Sequence, residues 1–160
     1  MLKDILKILE NDARTTPKQI ADMTGMSQAE VAKLIKKAWD DRTIIKYKAI
    51  INWDSAENER VYALIEVKLE PQKDVGFDSI AERIYRFPQT RNVYLVSGTY
   101  DLLVLLVGKN NHEVASFVSQ KLSHIDGVKA TNTQFILKRY KEDGEIFEGR
   151  EEVRRQPVVL

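Results

Sequence analysis

The run Leu102-Leu-Val-Leu-Leu-Val107 constrains the fold more than any other stretch of this 160-residue chain. Alternate side chains of a strand point to opposite faces of a sheet. An unbroken apolar run of strand length is therefore apolar on both faces, and both faces need cover. Any fold proposed for this chain has to supply two covering surfaces for this one strand.

The surrounding sequence repeats a simple unit. VYALIEVKLEP (61–71) alternates as a strand and is ended by Pro71. Phe77, Ile80, Ala81, Ile84 and Tyr85 then fall on one helical face. RNVYLVSG (91–98) and YDLLVLLVG (100–108) are further strands. Asn110 and Glu113 cap a helix whose inner face is Val114, Phe117, Val118, Leu122 and Ile125, and GVKATNTQFILKRY (127–140) is a last strand. Residues 61–98 and 99–137 are thus two strand–helix–strand repeats. A split pair of this kind predicts a ferredoxin-like βαββαβ sandwich, with a four-stranded antiparallel sheet and two helices on one face. Helices cover one side of 102–107. The other side calls for a partner surface, and a second copy of the chain is the simplest one, so a dimer through the sheet is expected.

The first third reads differently. Leu2, Ile5, Leu6, Ile8 and Leu9 predict a helix over roughly 2–11. Thr16, Pro17 and Gln19 open a second helix with a capping box, and Gly25 ends it. Ser27 and Glu30 open a third, QAEVAKLIKKAWDD, with an inward stripe of Val31, Leu34, Ile35 and Ala38. Two helices joined by a three-residue turn make a helix-turn-helix. The segment TIIKYKAIINW after it reads as a hairpin-like β wing. The whole is an α+β chain: a winged helix-turn-helix domain over 1–52, a linker over 53–60, the ferredoxin-like domain over 61–140, and a C-terminal extension over 141–160. That extension is expected to add one edge strand near Ile146–Phe147, with a mobile charged stretch at 148–155 and a docked or swapped end at Val158–Leu160.

Charge assigns work to the first domain. The chain carries a net +1, but residues 1–53 hold ten Lys/Arg against seven Asp/Glu, while the remainder is slightly acidic. An α-helix fits the major groove of DNA, and lysines neutralise phosphates with release of counterions. Ser27, Gln28 and Lys33, at the start and in the first half of the third helix, are the candidates for base-edge contact. Lys36, Lys37, Lys46 and Lys48 are the candidates for phosphate contact, which positions without specifying. Trp39 and Trp53 read as core or linker packing.

Several classes are disfavoured. With no cysteine there is neither a disulfide nor a thiolate metal site. The stretch MLKDILKILEND does not read as a signal peptide, and no apolar run reaches the roughly 18 residues of a membrane span, so a cytoplasmic location without membrane contact is expected. His112 and His124 show no metal-pair spacing, and no Gly-rich phosphate loop or nucleophile motif is present. Neither an enzyme, a metal site nor a cofactor is expected. A DNA-compacting protein of low sequence specificity is the main alternative to a regulator.

MTGMSQAEVAKLIKKAWDDRTIIKYKAII followed by a βαββαβ domain carrying SGTYDLLVLLVG resembles the Lrp/AsnC family of bacterial and archaeal regulators, to about residue 140. The resemblance implies a RAM-type C-terminal domain and a transcription factor that forms dimers, often octamers. It also implies that a free amino acid binds at contacts between dimers. The family's Gly-x-Tyr-Asp loop falls on Gly98, Thr99, Tyr100 and Asp101, and the start of the last strand brings in Thr131 and Thr133. On that reading turn amides hold the amino acid's carboxylate, Asp101 pairs with its ammonium, and Tyr100 covers its side chain. The plainer reading is that Gly98 permits the turn, Tyr100 packs and Asp101 caps backbone amides. Three positions depart from the family pattern: Leu34 where an arginine is usual, Ala38-Trp39 in place of Leu-Glu, and Arg42 in place of glycine.

Overall fold

The computed structural model describes residues 1–56, 60–70 and 76–147. The chain divides into two compact units, Met1–Ile50 and Ile51–Leu160.

The first unit is three helices, α1 (Leu2–Asn11), α2 (Pro17–Thr24) and α3 (Gln28–Asp40). Both expected capping boxes form. Thr16 Oγ1 accepts from the Gln19 amide while Gln19 Oε1 accepts from the Thr16 amide, and Ser27 and Glu30 do the same one helix later. Gly25 takes φ +70 at the end of α2, a left-handed position that glycine occupies without strain. Ile5, Leu9, Ile20, Ala21 and Val31 are buried together. Leu34 and Ile35 are half-buried against them, and Ala38 is buried further along α3. The departure at Leu34 is thus a side chain packed on the helical core.

The β wing does not form within the chain. Residues 43–53 contain no strand. Ile44 packs on the helical core and its amide donates to the Ala38 carbonyl, but Ile45, Ile50 and Ile51 stay exposed. A ladder needs a second row of donors and acceptors, and this segment is paired with no strand among the described residues. Trp39 lies on the surface, 46 % exposed, stacked on Tyr47 with ring centroids 5.6 Å apart.

The second unit follows the predicted order: β1 (Val61–Leu69), α4 (Phe77–Tyr85), β2 (Thr90–Leu95), β3 (Leu102–Gly108), α5 (Asn111–Gln120), a 3₁₀ turn (Leu122–His124) and β4 (Val128–Ile136). The sheet is antiparallel throughout, in the order β2-β3-β1-β4. Ala63, Ile65, Val67 and Leu69 of β1 and Leu102, Val104 and Leu106 of β3 are buried with Ile80 and Ile84 of α4, Val114 and Phe117 of α5, and Leu122. Phe77 and Tyr85, expected inward, are 39 % and 57 % exposed at the two ends of α4.

Cross-strand partners share a face. Pairing of Tyr62 with Val107, Leu64 with Leu105 and Glu66 with Leu103 therefore puts an apolar row on the face away from the helices. Glu66 crosses that row and accepts from Asn132 Nδ2 and Gln134 Nε2 on β4. Central strand β3 is apolar on both sides, as its composition requires.

The expected single edge strand near Ile146–Phe147 is instead a separate hairpin, β5 (Lys141–Glu142) and β6 (Glu145–Ile146). Its turn, Asp143-Gly144, has φ of +47 and +89, the paired left-handed geometry that Asp-Gly favours in a two-residue hairpin. Arg139 lies behind it with its side chain only 10 % exposed, over the rings of Tyr62 and Phe147, and donates to Glu142 Oε2 at 3.0 Å. The readings at 148–155 and Val158–Leu160 lie outside the described residues.

Candidate DNA-reading helix and ligand loop

The third helix presents its cations outward because Val31, Leu34, Ile35 and Ala38 take its inner face. Ser27 Oγ donates to Glu30 Oε2 at 2.7 Å and accepts from the Glu30 amide. The Ser27 hydroxyl and amide, both donating to the carboxylate, hold the Glu30 carboxyl below its ordinary range. The serine put forward as a base reader is therefore the helix cap. Gln28, Lys33, Lys36 and Lys37 are all exposed on α3. Lys36 pairs with Asp40 at 2.6 Å, one turn on. Lys33 and Lys37 have no ion pair among the described residues. Lys46 and Lys48 are exposed on the extended segment that follows.

The loop between β2 and β3 is built around Asp101. Its amide donates to the Val67 carbonyl and its carbonyl accepts from the Val96 amide, which closes the connection against β1. Its carboxylate accepts from the Leu69 amide at 2.8 Å and lies 3.2 Å from Lys68 Nζ. The Leu69 amide is the main reason the Asp101 carboxyl is held below its ordinary range; burial opposes the shift and Lys68 adds to it. Lys68 was not singled out by sequence reasoning, since it stands 33 residues from Asp101. Only the register of β1 against β3 brings the two together.

Gly98 has φ +148, a conformation open to glycine and strained for other residues. Gly98 and Thr99 are exposed and Tyr100 is half-buried. The amides of Gly98, Thr99 and Tyr100 donate to no backbone carbonyl among the described residues. Thr131 and Thr133 are not beside this loop within one chain. Val67 pairs with Leu102 on one side and Thr131 on the other, so β1 stands between them.

Two family models match. Residues 2–45 match a winged helix-turn-helix DNA-binding model and residues 62–146 match the Lrp/AsnC ligand binding domain. The chain belongs to the Lrp/AsnC family. It is 47% identical to the uncharacterized HTH-type transcriptional regulator YugG of Bacillus subtilis, over 91% of this chain and 88% of that one. It is 31% identical to the HTH-type transcriptional regulator FL11 of Pyrococcus horikoshii, over 90% and 92% respectively. Solved structures share the fold: E. coli AsnC, with TM-score 0.69 and 18% identity over 88% of this chain and 93% of that one, and a Neisseria meningitidis transcriptional regulator solved as an L-Met complex, with TM-score 0.72 and 21% identity over 88% and 90%. The protein is a helix-turn-helix, DNA-binding transcriptional regulator with an Lrp/AsnC ligand-binding domain. No helix among the described residues is long and apolar enough to cross a membrane.

Proposed function

We propose that the protein is a cytoplasmic homo-oligomeric regulator in which α3 reads double-stranded DNA and an amino acid bound at the loop 97–101 adjusts assembly or DNA affinity. The observation that carries the reading is the pairing of a capped helix presenting Gln28, Lys33 and Lys37 to solvent with a sheet whose second face is apolar. That face, with Leu64, Leu103, Leu105 and Val107, is the dimer surface. Two copies joined there give two recognition helices, which suits a two-fold DNA site; dimers then assemble to an octamer.

In the effector site the amides of residues 98–100 hold the carboxylate of the amino acid, as a concave row of backbone donors does for anions. Asp101 acts chiefly by fixing the loop, because its own carboxylate is already held by Leu69 and Lys68. Tyr100 covers the ligand's side chain, and Thr131 and Thr133 enter the site from a neighbouring subunit. The L-Met complex of the Neisseria regulator supports an amino acid as the class of effector. No metal or cofactor is required for this work.

A ligand changes assembly only through unequal affinity for the assembled and dissociated states. Calorimetric titration of the twenty amino acids, paired with light scattering, tests the proposal. At least one amino acid should bind and change either the mass or the DNA affinity. Binding that alters neither would contradict the regulatory reading.

A further inference from the structure

The end of the sheet opposite the Asp101 loop carries an unassigned cluster of positive charge. β1 runs from Val67, beside Asp101, to Val61, beside Gly108, so the two ends are about 20 Å apart along the strand at ~3.4 Å per residue. A cavity of about 400 Å³ opens at the far end, lined by Arg60, Gln89, Arg91 and Lys109 among others. The three cations come from three separate segments: Arg60 precedes β1, Arg91 sits where the β2–β3 register shifts, and Lys109 follows β3. Arg91 and Lys109 have no carboxylate partner among the described residues. The guanidinium of Arg60 rests on the Trp53 ring, 3.6 Å from its centre. The cavity's one acidic residue, Glu113, has its carboxylate engaged by the Lys109 amide at 2.7 Å.

Three cations and one carboxylate line the concavity, a net positive charge that an entering anion offsets. Two guanidinium forks and an ammonium match the oxygens of a phosphate, which carries nearly two charges near neutral pH. A further group narrows the class. Gln89 Oε1 is buried without a hydrogen-bond partner. Gln89 lines the cavity, and a turn of its side chain brings this acceptor to a ligand hydroxyl, which a monoprotonated phosphate or a hydroxylated phosphate ester supplies and an ionised simple carboxylate does not.

We propose that Arg60, Arg91, Lys109 and Gln89 form a binding site for a small phosphorylated anion, separate from the amino-acid loop. The ligand is either free phosphate or a phosphomonoester. Arg60 and Arg91 grip the phosphoryl oxygens, Lys109 adds charge, and Gln89 accepts from the hydroxyl.

Calorimetric titration of the full chain with inorganic phosphate, ribose 5-phosphate and ribose, in low-salt buffer without phosphate, separates the sources. Phosphate binding alone assigns the site to the free ion, tighter binding of ribose 5-phosphate assigns it to an ester, and ribose should not bind. The double variant Arg91→Gln/Lys109→Gln changes two exposed side chains and should keep its thermal transition while losing at least about tenfold in affinity, the scale of one charge-assisted hydrogen bond. A second readout is Trp53 fluorescence in a Trp39→Phe background, which should change on binding as the Arg60 guanidinium moves to the ligand. The proposal is overturned if neither phosphate binds, or if the double variant binds as well as the wild type. It is also overturned if the variant loses affinity for duplex DNA while neither phosphate binds, since the cluster is then a contact to the DNA backbone.

Discussion

Helix α3 and the loop 97–101 put their polar residues to opposite uses. On α3 the amides of Ser27 and Glu30 are each taken by the other's side chain, and Lys33 and Lys37 further along are left to solvent. In the loop the charged residue itself is drawn inward, because the Leu69 amide at the end of β1 needs an acceptor and Asp101 is in reach. A regular helix meets its own backbone demand, so its outer charges are free for a partner. A tight connection recruits its carboxylate for the fold and offers its amides instead.

The sharpest way to separate the two regions is charge reversal on the helix. Lys33→Glu/Lys37→Glu should weaken binding to duplex DNA by at least about 100-fold at low salt, since each of the two charge-assisted hydrogen bonds removed is worth about 1.5–3 kcal/mol. Its salt slope should fall by about 0.9 for each phosphate that is no longer neutralised. Stability should change by less than about 0.5 kcal/mol, as for other exposed positions. Fluorescence anisotropy and thermal unfolding read the two quantities.

Asp101→Ala should show the reverse pattern: stability lower by about 1–3 kcal/mol, from a main-chain amide left without its charged acceptor. The sign of the pH dependence follows from the direction of the shift. Because folding holds the Asp101 carboxyl below its ordinary value of 3.8, its contribution is full above that value and is lost as the pH falls through the folded one. Denaturant unfolding of wild type and variant should therefore differ most near neutral pH and converge in acid.

Smaller effects refine the contrast. Ser27→Ala should cost about 1 kcal/mol through removal of the cap. If the hydroxyl serves the cap alone, selection from random duplexes by this variant should return the wild-type consensus. Arg42 takes φ +57, a left-handed conformation unfavourable for an arginine. Arg42→Gly should raise stability by about 1 kcal/mol or less, with strain relief partly offset by the greater freedom of glycine in the unfolded chain. The melting temperature checks it.

What was readable from sequence was local. Thr16-x-x-Gln19 and Ser27-x-x-Glu30 announce helix starts because both partners lie within one turn. The double-sided apolar run of β3 suits its central position in the sheet, where Leu102, Val104 and Leu106 are buried under the helices. Long-range pairing was not readable. Nothing adjacent to Lys68 points to Asp101, and Arg139 finds Tyr62 and Phe147 only after the sheet and the C-terminal hairpin are in place. No strand forms at 43–53 for a related reason: an apolar and basic segment after α3 reports an extended chain and says nothing of whether a second strand exists to pair with it. The Asp143-Gly144 turn, by contrast, was a legible hairpin signal that the charged composition around it obscured.

The most direct measurement is equilibrium binding of the full chain to the duplex recovered by selection and to a random duplex of equal length, at one physiological salt concentration. A specific regulator should prefer the selected duplex by about 1,000-fold or more. Equal dissociation constants for the two duplexes would contradict sequence-specific reading by α3 and leave only the electrostatic attraction of a basic helix for a polyanion.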